Sequence, residues 1–552
     1  MSRRTLGLAS AAVAVVAVAV VGVILVARPG SAAGAAKVPH FVEVAAEAGI
    51  HHVYDGDFDY FVGGGVAAFD CDGDYQPDLF LAGGSEPAAL YRNLSAPGGP
   101  LRFAKVESEE TSQSAVTGAY PLDIDGDRLT DLVVLGFGEN LVLRGLGDCR
   151  FERVNDQLGL ERQRDWTVGF SATWERAAKL PTLAFANYLI PGSDSTSPKC
   201  GVNQLLRPNA EGTGYDPAIP LSPSYCALSV LFSDWNRTGR HDLRVSNDRH
   251  YYGADPAGGE QLWRIDPGSP PASYTAADGW QQLRIWGMGI ASQDLTGDGL
   301  PEVYLTSQGD NKLQTLTDGP SRPTYGDIAL ARGATATRPF TGDDTNLPST
   351  AWHPEFQDVN NDGFVDLYVS KGNVEAELDY AMQDPSNLLI GQPDGTFVEG
   401  ALEAGIVTFA RARGAAIVDL NRDGLLDLVE VNRRTPVHIW RNVGAGTADA
   451  PEAMGRFIGI RLEEDGPNRD AIGAWVEFGL GDRVISREVT VGGGHAGGQL
   501  GWMQFGLGGA ASAEIRVTWP DGEVGPWITV PADEYALIRR GATEPEYPMI
   551  RY

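Results

Sequence analysis

The chain has no H-E-x-x-H and no G-x-S-x-G pattern, and its eight histidines are scattered apart from the adjacent His51 and His52. Neither a zinc-protease helix nor a nucleophile elbow is encoded. Four cysteines without a Cys-x-x-Cys spacing leave zinc or redox chemistry unsupported. Basic residues are scarce as well: 43 Lys and Arg stand against 73 Asp and Glu, a formal net charge of −30. That balance excludes nucleic acid as a partner and argues against binding to anionic lipid. No sustained helical period follows the amino-terminal segment, which points to an all-β chain. What is abundant is glycine, 69 residues, with 34 prolines, as many tight turns require.

Acidic residues are not spread evenly. Six copies of one ladder place oxygen side chains at loop positions 1, 3, 5 and 9. They are Asp70, Asp72, Asp74, Asp78; Asp123, Asp125, Asp127, Asp131; Asp234, Asn236, Thr238, Asp242; Asp294, Thr296, Asp298, Glu302; Asp358, Asn360, Asp362, Asp366; and Asp419, Asn421, Asp423, Asp427. Each follows a short apolar stretch containing Gly or Ala and precedes a strand-like run such as Asp78-Leu79-Phe80-Leu81. Carboxylates so crowded repel one another unless a hard cation lies between them. Ca²⁺ is the expected ion, because it takes six to eight oxygens in flexible geometry. Up to six Ca²⁺ are expected, and the loop at Asp234, with two acids, is the weakest. One such loop alone reads equally as a polar β-turn; six in the same context do not. The loops hold nineteen carboxylates, and six bound ions would bring the net charge to −18.

The loops start about 50 to 65 residues apart, except for one gap of 111 between Asp123 and Asp234. A long fixed period indicates a solenoid or propeller. The gap holds a degraded copy: Gly169-Phe170-Ser171-Ala172-Thr173-Trp174 aligns with Gly414-Ala415-Ala416-Ile417-Val418-Asp419, and positions 1, 3, 5 and 9 become Trp174, Arg176, Ala178 and Thr182. Seven repeats with six cation loops result. Phe41 to Ile50 nearly duplicates Phe397 to Ile406, while the seventh repeat stops after His438-Ile439-Trp440-Arg441. Strand 41–44 is therefore expected to close the seventh blade, leaving few sheet edges exposed.

These repeats resemble the FG-GAP/VCBS repeats of integrin α-subunit propellers. Asp470 to Val476, Arg487-Glu488-Val489, Gly492-Gly493-Gly494-His495, Phe505-Gly506-Leu507-Gly508 and Val517-Thr518-Trp519-Pro520-Asp521-Gly522 look like the ASPIC/UnbV domain. Repeats followed by that domain resemble the cartilage acidic protein-like family. The resemblance implies a secreted or surface calcium-binding seven-bladed integrin-α-like β-propeller with a small carboxyl-terminal β-domain, and it implies no reaction. The expected organisation is a signal peptide or membrane anchor at 1–36, the propeller at 41–443, a linker at 444–455 and the β-domain at 456–545.

Arg3 and Arg4 precede an apolar run from Leu6 to Ala27, followed by Arg28-Pro29. Twenty-two residues span a bilayer, favouring an anchor with its positive end inside, though a signal peptide cut between Ser31 and Ala36 stays open. Either places the protein outside the cytoplasm, periplasmic or at the cell surface, with the membrane touched only through this segment. Cys200 and Cys226 flank a Pro/Gly-rich insertion and are expected to pair; a Cys71–Cys149 bridge is the complementary possibility. Two N-x-S/T sequons occur, at Asn93 and Asn236.

No catalytic set is assigned, and His495 reads as a hairpin or turn residue. Two functions stay open. One is a non-catalytic binding or adhesion protein for a protein or glycan ligand. The other is an extracellular carbohydrate-active enzyme, its site in the propeller centre or domain cleft and Trp166, Trp286 or Trp352 stacking on sugar. Carboxylates or histidines converging in an open pocket would favour the enzyme.

Overall fold

Strand-forming runs separated by Asp-, Gly- and Pro-rich turns fold, one after another, into antiparallel four-stranded sheets. The computed structural model describes residues 36–160, 164–175, 178–193, 199–248, 258–336, 349–374 and 384–549. The apolar run from Leu6 to Ala27 and Arg176 of the degraded loop lie outside them. Among the described residues no helix is long and apolar enough to cross a membrane. Among the described residues helix is confined to single turns such as Ala329–Arg332 and Ala401–Ala404.

The innermost strands of successive sheets are Val66–Phe69, Val116–Leu122, Asp165–Thr173, Ala227–Ser233, Gly287–Gln293, Ala351–Gln357 and Arg411–Val418. Each neighbours the next, and the seventh packs back on the first. The architecture is an all-β propeller. The second and third sheets also join where Trp166 pairs with Phe137. His40–Glu43 is the outermost strand of the seventh sheet, with Phe41 opposite Asn442 and Glu43 opposite Trp440. An early strand thus meets one some four hundred residues later in the chain and covers its edge.

The core lies between sheets. Phe80, Leu79 and Ala68 of the first sheet share one apolar cluster with Ala416, Val429 and Ile439 of the seventh. Burial of such side chains contributes about 1.5–3 kcal/mol each. Two disulfides tie neighbouring parts: Cys71–Cys149 links the first loop to the outer hairpin of the second sheet, and Cys200–Cys226 closes the excursion before the fourth.

Residues 445–455 fold back as a turn, with Ala445 N donating to Glu452 O. The carboxyl-terminal domain then forms two sheets. In one, Arg456–Glu463 lies between Met503–Gly508 and Glu534–Arg539; the other runs Arg483–Glu488, Trp475–Leu480, Ser512–Thr518, Ile528–Pro531. Ile458, Ile460, Val476, Ile515 and Val530 fill the space between them.

Candidate metal loops and the plugged propeller centre

Each acidic ladder joins the first and second strands of its sheet, and all six share one backbone. Positions 4 and 6 are left-handed throughout, as in Gly126 (φ 75°) and Arg128 (φ 76°), or Arg422 (φ 58°) and Gly424 (φ 84°). Glycine, asparagine or a strained larger residue must sit there. This turn aims backbone N–H groups at the position-1 carboxylate: Gly126 N and Arg128 N donate to Asp123 at 2.8 and 3.0 Å, and Gly297 N and Gly299 N to Asp294 at 2.7 and 3.0 Å.

Position 9 is a latch. Asp78 accepts from Cys71 N (2.8 Å) and Asn93 N (2.7 Å), tying the loop to the third strand. Asp131 does the same with Ile124 and Gly145, Asp366 with Val359 and Gly391, and Asp427 with Leu420 and Asn442. Glu302 accepts from Leu295 N (2.9 Å) and from the Thr315 hydroxyl.

Carboxylate oxygens of Asp70, Asp72 and Asp78 converge within 4.8 Å, as do those of Asp123, Asp125 and Asp127. Burial, ahead of neighbouring negative charge, pushes the acids up: Asp78 and Asp131 to about 8, Glu302 and Asp419 to about 7, Asp123 and Asp294 to about 6. Asp358, Asp366 and Asp427 are raised well above the ordinary range for the same reason. In the seventh loop Asn421 is fully buried, its amide nitrogen donating to Asp423 while its Oδ1 has no partner. Buried all-oxygen sets with an orphaned acceptor fit a hard cation, which would supply the missing countercharge.

The fourth loop departs from the expectation that Asp234, Asn236, Thr238 and Asp242 hold a cation. Asp242 instead accepts from the Arg240 guanidinium (3.0 and 3.1 Å), Trp235 Nε1 (2.9 Å) and the Tyr274 hydroxyl (2.7 Å). Asn236 Oδ1 accepts from Thr238 Oγ1 at 2.8 Å. An internal cation has taken the position-9 acid, and these residues do not fit a metal. In the degraded loop Thr182 donates to Glu175 (2.8 Å), while Trp174 and Ala178 carry no oxygen ligand. Asn93 is buried, donating to Pro77 O and Leu420 O, so its sequon is closed to a glycan.

The carboxyl-terminal domain sits on these loops, which sequence reasoning did not foresee. Trp502 Nε1 donates to Tyr75 O (3.2 Å), Arg128 pairs with Glu463 (3.2 Å), and Asp234 N donates to Glu488 (2.9 Å). Asp294 N donates to Ser486 O (3.3 Å), Gln504 reaches Asn361 Oδ1 and Gly424 O (3.1 and 3.0 Å), and the Tyr535 hydroxyl donates to Asp419. Beside the third and fourth loops a groove of about 1060 Å³ opens between the propeller and the domain.

From this domain the segment Val491–Leu500 threads the ring's centre. Ala172 N donates to Val491 O, Gly494 N to Ile290 O, Ala119 N to Ala496 O and Ala68 N to Gly498 O. Gln499 and Leu500 run parallel to Ala68 and Phe69. The inner strands make room by lacking side chains: a Cβ on Gly65 or Gly118 would lie 1.8 Å from Ala496 O, and one on Gly289 or Gly414 about 3 Å or less from the plug or a neighbouring strand. His495 lies at a bend, as a turn residue would, and is fully buried within the plug. Its Nε2 accepts from Gly63 N (3.3 Å), its backbone N donates to His353 Nδ1 (3.1 Å), and its ring lies 4.9 Å from Trp352. Trp166 and Trp352 are buried, whereas Trp286 is 36 % exposed.

An FG-GAP-like repeat model matches residues 358–430, and an ASPIC and UnbV model matches residues 464–545. The chain carries an FG-GAP-like repeat and a carboxyl-terminal ASPIC/UnbV domain. The ASPIC/UnbV domain is therefore the element that covers the loops and supplies the plug. No curated protein matches the chain. Solved structures similar to it include an Agrocybe aegerita lectin described as recognising non-reducing terminal N-acetylglucosamine, at 16% identity over 66% of this chain and 88% of that one, TM-score 0.38. PorZ, a surface component of the type-IX secretion system of Porphyromonas gingivalis, is 11% identical over 88% of this chain and 60% of its own, TM-score 0.41.

Proposed function

We propose that this is an exported, calcium-stabilised propeller acting as a non-catalytic binding or adhesion protein for a protein or glycan ligand. The observation that carries the calcium reading is the repeated cage of buried, raised carboxylates in the first, second, fifth, sixth and seventh loops. Positions 1, 3, 5 and 9 of those loops would hold the ion. Two disulfides support an oxidising compartment outside the cytoplasm. Occupation of the ring's centre by Val491–Leu500 weighs against the enzyme with a central site.

Metal analysis of the dialysed protein should find about five calcium ions per chain, and melting with chelator should fall well below melting with calcium. Each site at a hundredfold excess over its dissociation constant contributes about 2.7 kcal/mol. Coincident melting curves would overturn the calcium reading. A binding screen against glycans and envelope proteins, with and without calcium, tests the ligand class.

A further inference from the structure

We propose that the ASPIC/UnbV domain is a lid on the cations of the sixth and seventh loops, so that cation occupancy there and docking of the domain stabilise each other. This rests on the calcium reading above. The six loops are not equally covered. At position 5, Asp74, Asp127 and Asp298 of the first, second and fifth loops are exposed, while Asp362 and Asp423 are half-buried. At position 1 the acid is buried in the second and fifth loops as well as in these two, so position 5 is where the sixth and seventh loops differ.

Lys37 and Gly99 of the propeller cover part of these loops, and the ASPIC/UnbV domain covers the rest. Tyr535, itself buried, donates its hydroxyl to Asp419 Oδ2. Gln504 spans the two loops, one amide group reaching both Asn361 Oδ1 and Gly424 O. Gly508 N donates to Asn361 O at 2.8 Å. In the same loop Asn421, beside Asp419 and Asp423, is fully buried with Oδ1 unpartnered, its amide nitrogen donating to Gly99 O of the propeller. A buried acceptor left bare in this loop is satisfied by a cation held there.

Docking therefore takes the position-1 carboxylates away from water: the Tyr535 hydroxyl meets Asp419, and Gly506 packs so close to Asp358 that a Cβ there would lie 2.1 Å from its Oδ2. Without an ion the cost is like-charge repulsion in a dry site; with a divalent ion most of that charge is cancelled. The ion thus favours the docked domain, and by linkage the docked domain retains the ion to the same degree. Because Val491–Leu500 belongs to the same domain, release of these two ions loosens the plug as well, which makes the ring's centre responsive to calcium.

The test uses the full chain loaded with calcium and mixed with a fluorescent chelator. Release should show a fast phase and a slow phase, the slow one amounting to about two ions. Tyr535→Phe and, separately, Gln504→Ala should accelerate the slow phase about tenfold while leaving its amplitude, as expected for one lost hydrogen bond to a charged or ion-binding loop. Asp127→Asn should remove amplitude from the fast phase alone. Chelation should also speed proteolysis within residues 445–455. A single fast phase, or a slow phase that neither lid variant alters, overturns the proposal while leaving the calcium reading intact. A chain that binds no calcium overturns both.

Discussion

The ASPIC/UnbV domain grips the propeller in two ways that obey opposite chemistry. At the rim it presses on loops whose acids are buried and raised, as with Asp131 at about 8 and Asp419 at about 7. At the centre it inserts neutral backbone, Val491–Leu500, whose amides pair with those of the inner strands. The rim needs a countercharge, and its strength follows calcium. The centre needs space, and its strength follows the absence of side chains. The fourth loop shows that the rim turn itself is separable from metal: Arg240 supplies the positive charge there and the left-handed pair Arg237 and Gly239 persists.

The largest effect should come from filling the centre. In Gly118→Val the new Cβ would lie 1.8 Å from Ala496 O, a backbone atom that no rotamer change can move. Overpacking of this kind costs about 3 kcal/mol or more. Melting temperature should drop sharply with and without calcium alike. Gly509→Ala, where a Cβ meets nothing within 4 Å, should melt like the parent. If Gly118→Val melts like Gly509→Ala, the plug does not fill the ring in solution.

A smaller, local effect separates loops that hold metal from the one that does not. Asp127→Ala should lower bound calcium by about one ion per chain, since position 5 gives a direct oxygen. Asp234→Asn should leave the calcium count unchanged, because its partner Asp242 is held by Arg240 and Tyr274. Loss of one ion from both variants would return the fourth loop to the metal sites.

The repeats were legible because a cation turn is encoded locally: acids at positions 1, 3, 5 and 9, and a small residue where φ is positive. Even the degraded copy kept its place, with Gly169 on the strand Asp165–Thr173 and Leu183 on Thr182–Asn187, as Gly414 and Leu428 are on theirs. The duplicated Phe41 and Phe397 segments both form outermost strands. The plug was not legible, because Gly492-Gly493-Gly494 meets strands hundreds of residues away and reads locally as a turn. A signal was present nonetheless. Five residues before each loop start stand Gly65, Gly118, Gly169, Ser229, Gly289, His353 and Gly414. Glycine there looked like strand filler; in all but the first sheet it marks a register shift in the inner strand, and at several positions the room for the plug. The Arg240 substitution for metal was equally hidden, since an arginine at position 7 looks like any solvated charge.

The smallest effect concerns the one ionisable group of the plug. His353 replaces glycine at the sixth inner strand, and its Nδ1 accepts from His495 N while its Nε2 faces Glu355 at 3.2 Å. His495 in turn accepts from Gly63 N, so a proton on Nε2 would abolish that bond. Burial first, then the Arg413 guanidinium and His353, holds the His495 imidazole well below its ordinary value. Because the folded value lies below the unfolded one, about 6.5, the unfolded chain binds the extra proton first. His495 therefore contributes fully above pH 6.5, and stability falls as pH drops below it, by up to about 1.4 kcal/mol per pH unit. His495→Gln keeps an acceptor for Gly63 N and removes the proton site. With calcium saturating, the parent should lose more melting temperature between pH 7 and pH 5 than this variant does. Equal losses would mean that the plug opens to water before His495 can feel its surroundings, and the dry, neutral centre would no longer stand apart from the charged rim.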